Sequence, residues 1–188
     1  MDEIRSFTAI ELPPALKDEI GNYIRDLKKI QRGVKWVKAE NLHITLKFIG
    51  EQSPALTANI TEALDGIDFN SGKFTVTAAE TGAFPNKRRP RVMWLGLNAE
   101  PPDSLLHLQS AIENKLETIG IEREKRPFSA HLTIGRVKFG DNFGRIWKYV
   151  EKYPFPPFSF DVESFALIKS ILASQGAQYT VLKKYSLQ

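Results

Sequence analysis

The sequence has no cysteine. That absence removes disulfide stapling, a thiolate nucleophile and every cysteine-based metal site. Long apolar runs are also missing. The longest, such as Phe165-Ala166-Leu167-Ile168, falls far short of the roughly 20 residues that a membrane-spanning helix needs. The first residues, Met1-Asp2-Glu3-Ile4-Arg5, are acidic at once and lack the basic-then-apolar layout of a secretory leader, so a cytoplasmic protein is expected. Serine and threonine lack the flanking glycines of a nucleophile elbow, which argues against a hydrolase triad. Charge of neither sign dominates: 26 Lys and Arg against 22 Asp and Glu give a formal +4. A balance this mildly basic suits a polyanionic partner without requiring one.

What remains is an ordinary globular composition, 42% hydrophobic and 26% charged over 188 residues. This length is enough for one large domain or two small lobes on a shared core. A single bilobal domain over 1–188 is expected, and a monomer. Histidine is scarce, with three in the chain, yet two of the three sit in one repeated pattern. His43-Ile44-Thr45-Leu46 and His131-Leu132-Thr133-Ile134 lie 88 positions apart, close to half the chain. Each alternates polar and apolar residues. On a β-strand this puts His and Thr on one face and the aliphatics on the other.

The surroundings of the two copies also match. The β-forming stretch 4–12 ends at Pro13-Pro14, which starts a helix with Leu16, Ile20, Tyr23, Ile24 and Leu27 on one stripe, stopped by Gly33. A short strand at 34–37 and a turn at Glu40-Asn41 lead into the first His-x-Thr strand. Ser53-Pro54 caps a second helix. Strands follow at 73–84 and 92–97, around the Pro-rich, charged loop 85–91. A third helix opens at Pro101-Pro102-Asp103, with Leu105, Leu108, Ile112, Leu116 and Ile119 inward, and an irregular charged stretch leads to the second His-x-Thr strand. His107 falls on that helix as a surface residue. A fourth helix is expected over 142–152. Strands over 158–172 and 178–187, joined by a turn at 173–176, end the chain. Helix, connector, His-x-Thr strand, helix and strands therefore recur in both halves. The expected fold is α+β: two pseudo-symmetric lobes, each an antiparallel sheet with helices on its outer face, and an active cleft between them.

Within a strand, His and Thr two residues apart point the same way, about 6.5–7 Å apart. Two copies facing each other would offer two imidazoles and two hydroxyls to one centre. With a pKa near 6.5, one ring can be neutral and the other charged at neutral pH. One then takes a proton from water while the other gives one to a leaving oxygen, and the hydroxyls meet oxygens on which charge grows. A group needing attack on one side, departure on the other and donors between is a phosphodiester. A single such His would more readily be a hydrogen-bonded structural residue; the matched pair favours chemistry. A zinc site would need three or four ligands, and neither motif carries a carboxylate, so no metal and no cofactor is expected.

The sequence resembles the 2H phosphoesterase superfamily and, within it, the RNA 2′,3′-cyclic phosphodiesterases historically called 2′-5′ RNA ligases. The resemblance runs nearly end to end. It rests on Arg5-Ser6-Phe7-Thr8-Ala9-Ile10-Glu11-Leu12-Pro13, on Val34-Lys35-Trp36-Val37 followed by Glu40-Asn41-Leu42 and the first motif through Gly50, on Gly82-Ala83-Phe84-Pro85-Asn86 and Arg89-Pro90-Arg91-Val92-Met93-Trp94, and on Arg126-Pro127-Phe128 before the second motif and Gly135-Arg136-Val137 after it. One departure is Ala130, where the family commonly has proline before the second histidine; both His and Thr pairs stay intact.

The resemblance implies metal-independent hydrolysis of an RNA-terminal 2′,3′-cyclic phosphate to a 2′-phosphomonoester. His43 would be the proton donor to the leaving 3′ oxygen and His131 the proton acceptor from water, with Thr45 and Thr133 beside them. Reversible 2′-5′ joining, with tRNA halves as partners, has also been credited to the family. The residues by themselves do not say which histidine gives and which takes.

For substrate binding, alternation extends the His43/Thr45 face to Lys47, which could meet phosphate, and turns Phe48 inward. Strict alternation points Arg136 away from the cleft unless a β-bulge intervenes, and the resemblance favours the bulge. Phe7 and Phe128 are candidates to stack a terminal base. Lys87, Arg88, Arg89 and Arg91 make a dense basic loop suited to an RNA backbone. Two other readings were weighed: a non-catalytic RNA-binding module of the same fold, and a 2H phosphodiesterase for a small cyclic nucleotide derivative. The first would be expected to lose a motif His or Thr, and all four are present.

Overall fold

The computed structural model describes residues 3–67, 69, 72–139, 142–173 and 176–187. Proline at the first helical turn and an apolar stripe produce α1 (Pro14–Ile30), which buries Leu16, Ile20, Tyr23, Ile24 and Leu27. The Ser53 hydroxyl accepts from Leu56 N at 3.2 Å and caps α2 (Pro54–Asp65). The third helix, α3 (Ser104–Glu117), buries its leucine stripe and also Gln109 and Glu113. The fourth, α4 (Gly144–Lys152), buries Ile146, Trp147 and Val150.

Among the described residues, nine strands form two antiparallel sheets. One has the order β3 (His43–Gln52), β1 (Ile4–Glu11), β8 (Ser164–Ala173), β9 (Gly176–Ser186). The other has the order β2 (Val34–Trp36), β6 (His131–Val137), β5 (Val92–Glu100), β4 (Phe74–Phe84), β7 (Phe158–Val162). Each His-x-Thr strand thus pairs with the strand one helix earlier: β3 with β1, β6 with β5. This is the α+β fold expected, with one His-x-Thr strand per sheet.

The sequence halves are not the lobes, however. After β3 the chain crosses over, and β4 joins the second sheet between β5 and β7. The stretch 158–172, expected as one strand, is two. Phe158–Val162 pairs with β4, the chain switches sheets at Glu163, and Ser164–Ala173 pairs with β1. No glycine or proline marks the switch; the alternation slips there by one residue, with Glu163 and Ser164 both polar before the apolar run Phe165-Ala166-Leu167-Ile168. The turn joining β8 to β9 includes residues 174 and 175, which lie outside the described residues. One contiguous apolar cluster, from Ile10 to Leu187, draws on both sheets and all four helices.

Candidate active site

Both His-x-Thr strands carry the same irregularity. In the β1/β3 ladder Ala9 pairs with Thr45 and Thr8 with Lys47, so Leu46 is an extra residue. In the β5/β6 ladder Trp94 pairs with Thr133 and Met93 with Gly135, so Ile134 is extra. A bulge at the fourth motif position reverses the alternation beyond it. Residue five of each copy then faces the core and residue six the cleft.

This reversal corrects two expectations. Lys47 is not part of the lining of the histidine cavity; it is 4% exposed, and its Nζ donates to Glu113 Oε2 at 2.6 Å and to Glu122 O at 2.7 Å. Phe48 does not face inward; it is 62% exposed and lines the cleft. In the second copy the bulge turns Arg136 onto the same cleft. Phe48 and Arg136 are pseudo-symmetric counterparts.

His43, Thr45, His131, Thr133 and Arg136 line one cavity of about 500 Å³, where β3 and β6 approach each other. The two imidazoles are held alike. His43 Nδ1 bonds Asn41 O at 2.8 Å and His131 Nδ1 bonds Ser129 O at 2.7 Å, each to the carbonyl two residues earlier. A carbonyl only accepts, so Nδ1 carries a hydrogen in both rings and Nε2 is left for the cleft. Asn41 is itself fixed by Nδ2 donating to Ala177 O at 2.9 Å at the start of β9.

Aromatic rings hold the imidazoles in place. Phe7 lies 4.8 Å from the His43 ring and Tyr179 meets it edge-on at 5.2 Å, while Phe84 meets His131 edge-on at 5.0 Å. Phe7, expected as a platform for a base, lies against His43 and borders the same cavity, with 3% of its surface exposed. Phe128 does not line the histidine cavity. It lines an adjoining one of about 420 Å³, which shares Thr45, Phe48, His131, Thr133 and Arg136 and extends to Phe84 and Arg126. Asn41, Phe84, Ser129 and Tyr179 were not singled out from sequence. The signal for Asn41 and Ser129 was their place two residues before each histidine; Tyr179 arrives from a strand far along the chain.

Burial, chiefly, pushes the His43 imidazole down to about 4; its hydrogen bond to Asn41 O opposes this, and the charges of Lys17 and Arg136 add to it. Among the described residues no three His, Asp or Glu side chains converge to hold a metal ion. The pair can therefore move protons on opposite sides of a group seated between them, with two hydroxyls and one guanidinium for its anionic oxygens.

The chain is similar to known proteins along its length. The model of the LigT-like phosphoesterase family matches the chain twice, over residues 10–94 and 95–179. The chain is 35% identical to the RNA 2′,3′-cyclic phosphodiesterase of Methanocaldococcus jannaschii, covering 97% of this chain and all of that one. It is 31% identical to the protein of the same name from Escherichia coli, covering 97% and 96%. The crystal structure of E. coli LigT complexed with 3′-AMP superposes with a TM-score of 0.78, at 28% identity and 99% of each chain.

Proposed function

Since the chain belongs to the LigT-like phosphoesterase family, we propose that it hydrolyses the 2′,3′-cyclic phosphate at the 3′ end of RNA to a 2′-phosphomonoester, with His43 and His131 as the acid/base pair. The observation that carries this reading is the matched tethering of the two rings, each with Nε2 free toward one cavity. RNA as substrate is supported by relatives that are RNA 2′,3′-cyclic phosphodiesterases along the whole chain. A nucleotide, 3′-AMP, is bound in the E. coli LigT crystal.

In this mechanism the cyclic phosphate lies between the rings. His131 Nε2 takes a proton from water as its oxygen bonds to phosphorus. The P–O3′ bond breaks, and His43 delivers a proton from Nε2 to the departing O3′. Thr45 and Thr133 donate to the non-bridging oxygens, and Arg136 offsets their charge. His43 is neutral in the empty cleft at pH 7, so the proton it gives must be taken up as substrate binds. An anion in the cleft beside His43 and Arg136 offsets the repulsion that Arg136 and Lys17 exert on a protonated ring. The roles follow the family resemblance, and substrate-coupled proton uptake reconciles them with the depressed His43.

Replacing His131 or His43 with Ala tests the pair. Each loss should lower turnover of a cyclic-phosphate-ended oligoribonucleotide by about 10²–10⁴-fold, the usual worth of a positioned acid or base. The far-ultraviolet circular dichroism should stay unchanged. Near-normal turnover in either variant removes that residue from the mechanism.

A second reading is favoured by the adjoining cavity. It opens beside His131 and Thr133 without reaching His43, and a lone water needs no such space. A nucleoside 5′-hydroxyl there would replace water and give 2′-5′ joining, with tRNA halves among the candidate strands.

A further inference from the structure

The formal charge of +4 is not spread over the molecule. Four segments, 34–37, 85–92, 134–139 and 143–149, hold nine Lys and Arg and no Asp or Glu, leaving −5 for the rest of the chain. The fold gathers these segments at one end of the second sheet. Lys35 on β2 is the cross-strand partner of Arg136 on β6, and Arg136 also pairs with Val92. Val137 N donates to Arg91 O at 2.9 Å, which attaches the 85–91 loop to the end of β6, and Lys138 N donates to Gly33 O at 2.8 Å. Trp147 of α4 then seats the loop: its Nε1 donates to Lys87 O at 2.7 Å, and Lys87 Nζ lies 5.3 Å from its ring centroid. This sets α4, which carries the exposed Arg145 and Lys148, against the loop.

All nine cations are exposed, and none pairs with a carboxylate among the described residues. The loop itself is shaped. Asn86 Oδ1 accepts from the backbone N–H groups of Arg88 and Arg89, both at 3.0 Å, so its turn is held by main chain and the guanidinium groups are left free. Nine like charges with no carboxylate partner among the described residues repel one another, and a polyanion is the partner that relieves this. The ribbon also starts inside the cleft, at Arg136.

We infer that this ribbon, from Arg136 through Arg91 and the 87–89 loop to α4, is the track for the phosphate backbone of the RNA strand whose 3′ end occupies the cleft. The inference rests on the RNA reading above. A 2′,3′-cyclic phosphate closes the 3′ end, so a single strand leaves the cleft, on its 5′ side. Its phosphates then need cations outside the cavity. Guanidinium and ammonium groups without base-reading partners fit sequence-independent contacts.

The test is the double variant Arg88→Gln/Arg89→Gln, whose side chains do not hold the turn. We would measure kcat/KM against salt on a single-stranded oligoribonucleotide of about ten nucleotides with a cyclic end, and on a nucleoside 2′,3′-cyclic monophosphate. The oligonucleotide should lose roughly fivefold or more at low salt, and its log–log salt slope should fall by about 1.4, near 0.7 for each cation removed from a single strand. The mononucleotide should be unchanged. Equal loss on both substrates, or no loss on either, overturns the track. Fluorescence anisotropy with a 2′-phosphate-ended oligonucleotide reads the same contacts without turnover. A protein that binds this probe through Arg88 and Arg89 but hydrolyses neither substrate keeps the track and sinks the activity. Loss of binding to phosphatidylserine vesicles with RNA binding intact would assign the ribbon to a membrane surface and overturn the proposal.

Discussion

His43 bears a strong electrostatic demand. Burial foremost, and the charges of Lys17 and Arg136, hold it at about 4 against an ordinary 6.5. Between these values the unfolded chain binds a proton that the folded chain refuses, so stability rises with pH from about 4 to 6.5 and is lost on acidification through that window. The linkage amounts to at most about 3 kcal/mol. His43→Ala should therefore flatten the pH dependence of urea unfolding between pH 6.5 and 4; an unchanged slope would show that the ring is not desolvated. Nuclear magnetic resonance of the imidazole gives the complementary result. The free ring should titrate near 4 and move upward when a nucleoside 2′-monophosphate is bound. A ring that stays near 4 with ligand bound could not be the acid.

At this scale the motif residues were legible, because two His-x-Thr strands in matched contexts carry their own evidence. The residues around them were not. Lys47 and Phe48 were placed on the wrong faces because the bulges at Leu46 and Ile134 leave no mark: both are aliphatics like their neighbours, with no glycine or proline. Phe84 and Tyr179 reach the histidines through pairings that span far more sequence than any local pattern reports.

Among the elements, the connection between β3 and α3 carries a prediction of its own. Lys47 Nζ bridges Glu113 and the carbonyl of Glu122, and Glu113 Oε1 accepts from Gln109 Nε2 at 3.0 Å and from Glu124 N at 3.4 Å. This buried cluster ties the first His-x-Thr strand to the segment that enters the second, where Ser129 O holds the His131 ring. Removing one partner of a buried pair leaves the other charge stranded, at a cost of about 3–5 kcal/mol. Lys47→Met should destabilise by that order in urea unfolding. The double variant Lys47→Met/Glu113→Leu should recover most of the stability and yet retain a lowered kcat, because the 122–130 segment has lost its anchor. Full recovery of kcat would make the cluster purely structural. Lys47 was expected to meet phosphate; its partners are Glu113 on a helix 66 positions away and the Glu122 carbonyl beyond that helix, out of reach of what alternation can show.

For the whole molecule, the helices, the α+β class and the internal repeat could be read from stripes, caps and the twin motif. The exchange of strands between lobes could not, since only the consecutive polar pair Glu163-Ser164 marks the switch of sheets, with no glycine or proline to break the run. That exchange has a consequence. β4 of the first half completes the sheet of the second, and β8 of the second completes the sheet of the first. Fragments 1–94 and 95–188 should each be largely unfolded alone by circular dichroism and should regain structure when mixed. A cooperatively folded isolated half would contradict the interlocked core.

The central claim is that two imidazoles, without a metal, open an RNA-terminal cyclic phosphate toward the 2′ oxygen. It is tested most directly by phosphorus-31 magnetic resonance of the product formed from a 2′,3′-cyclic-phosphate-ended oligoribonucleotide in excess EDTA. The account predicts full conversion to the 2′-phosphomonoester alone. A 3′-phosphomonoester, or no turnover until a divalent metal is restored, would contradict it.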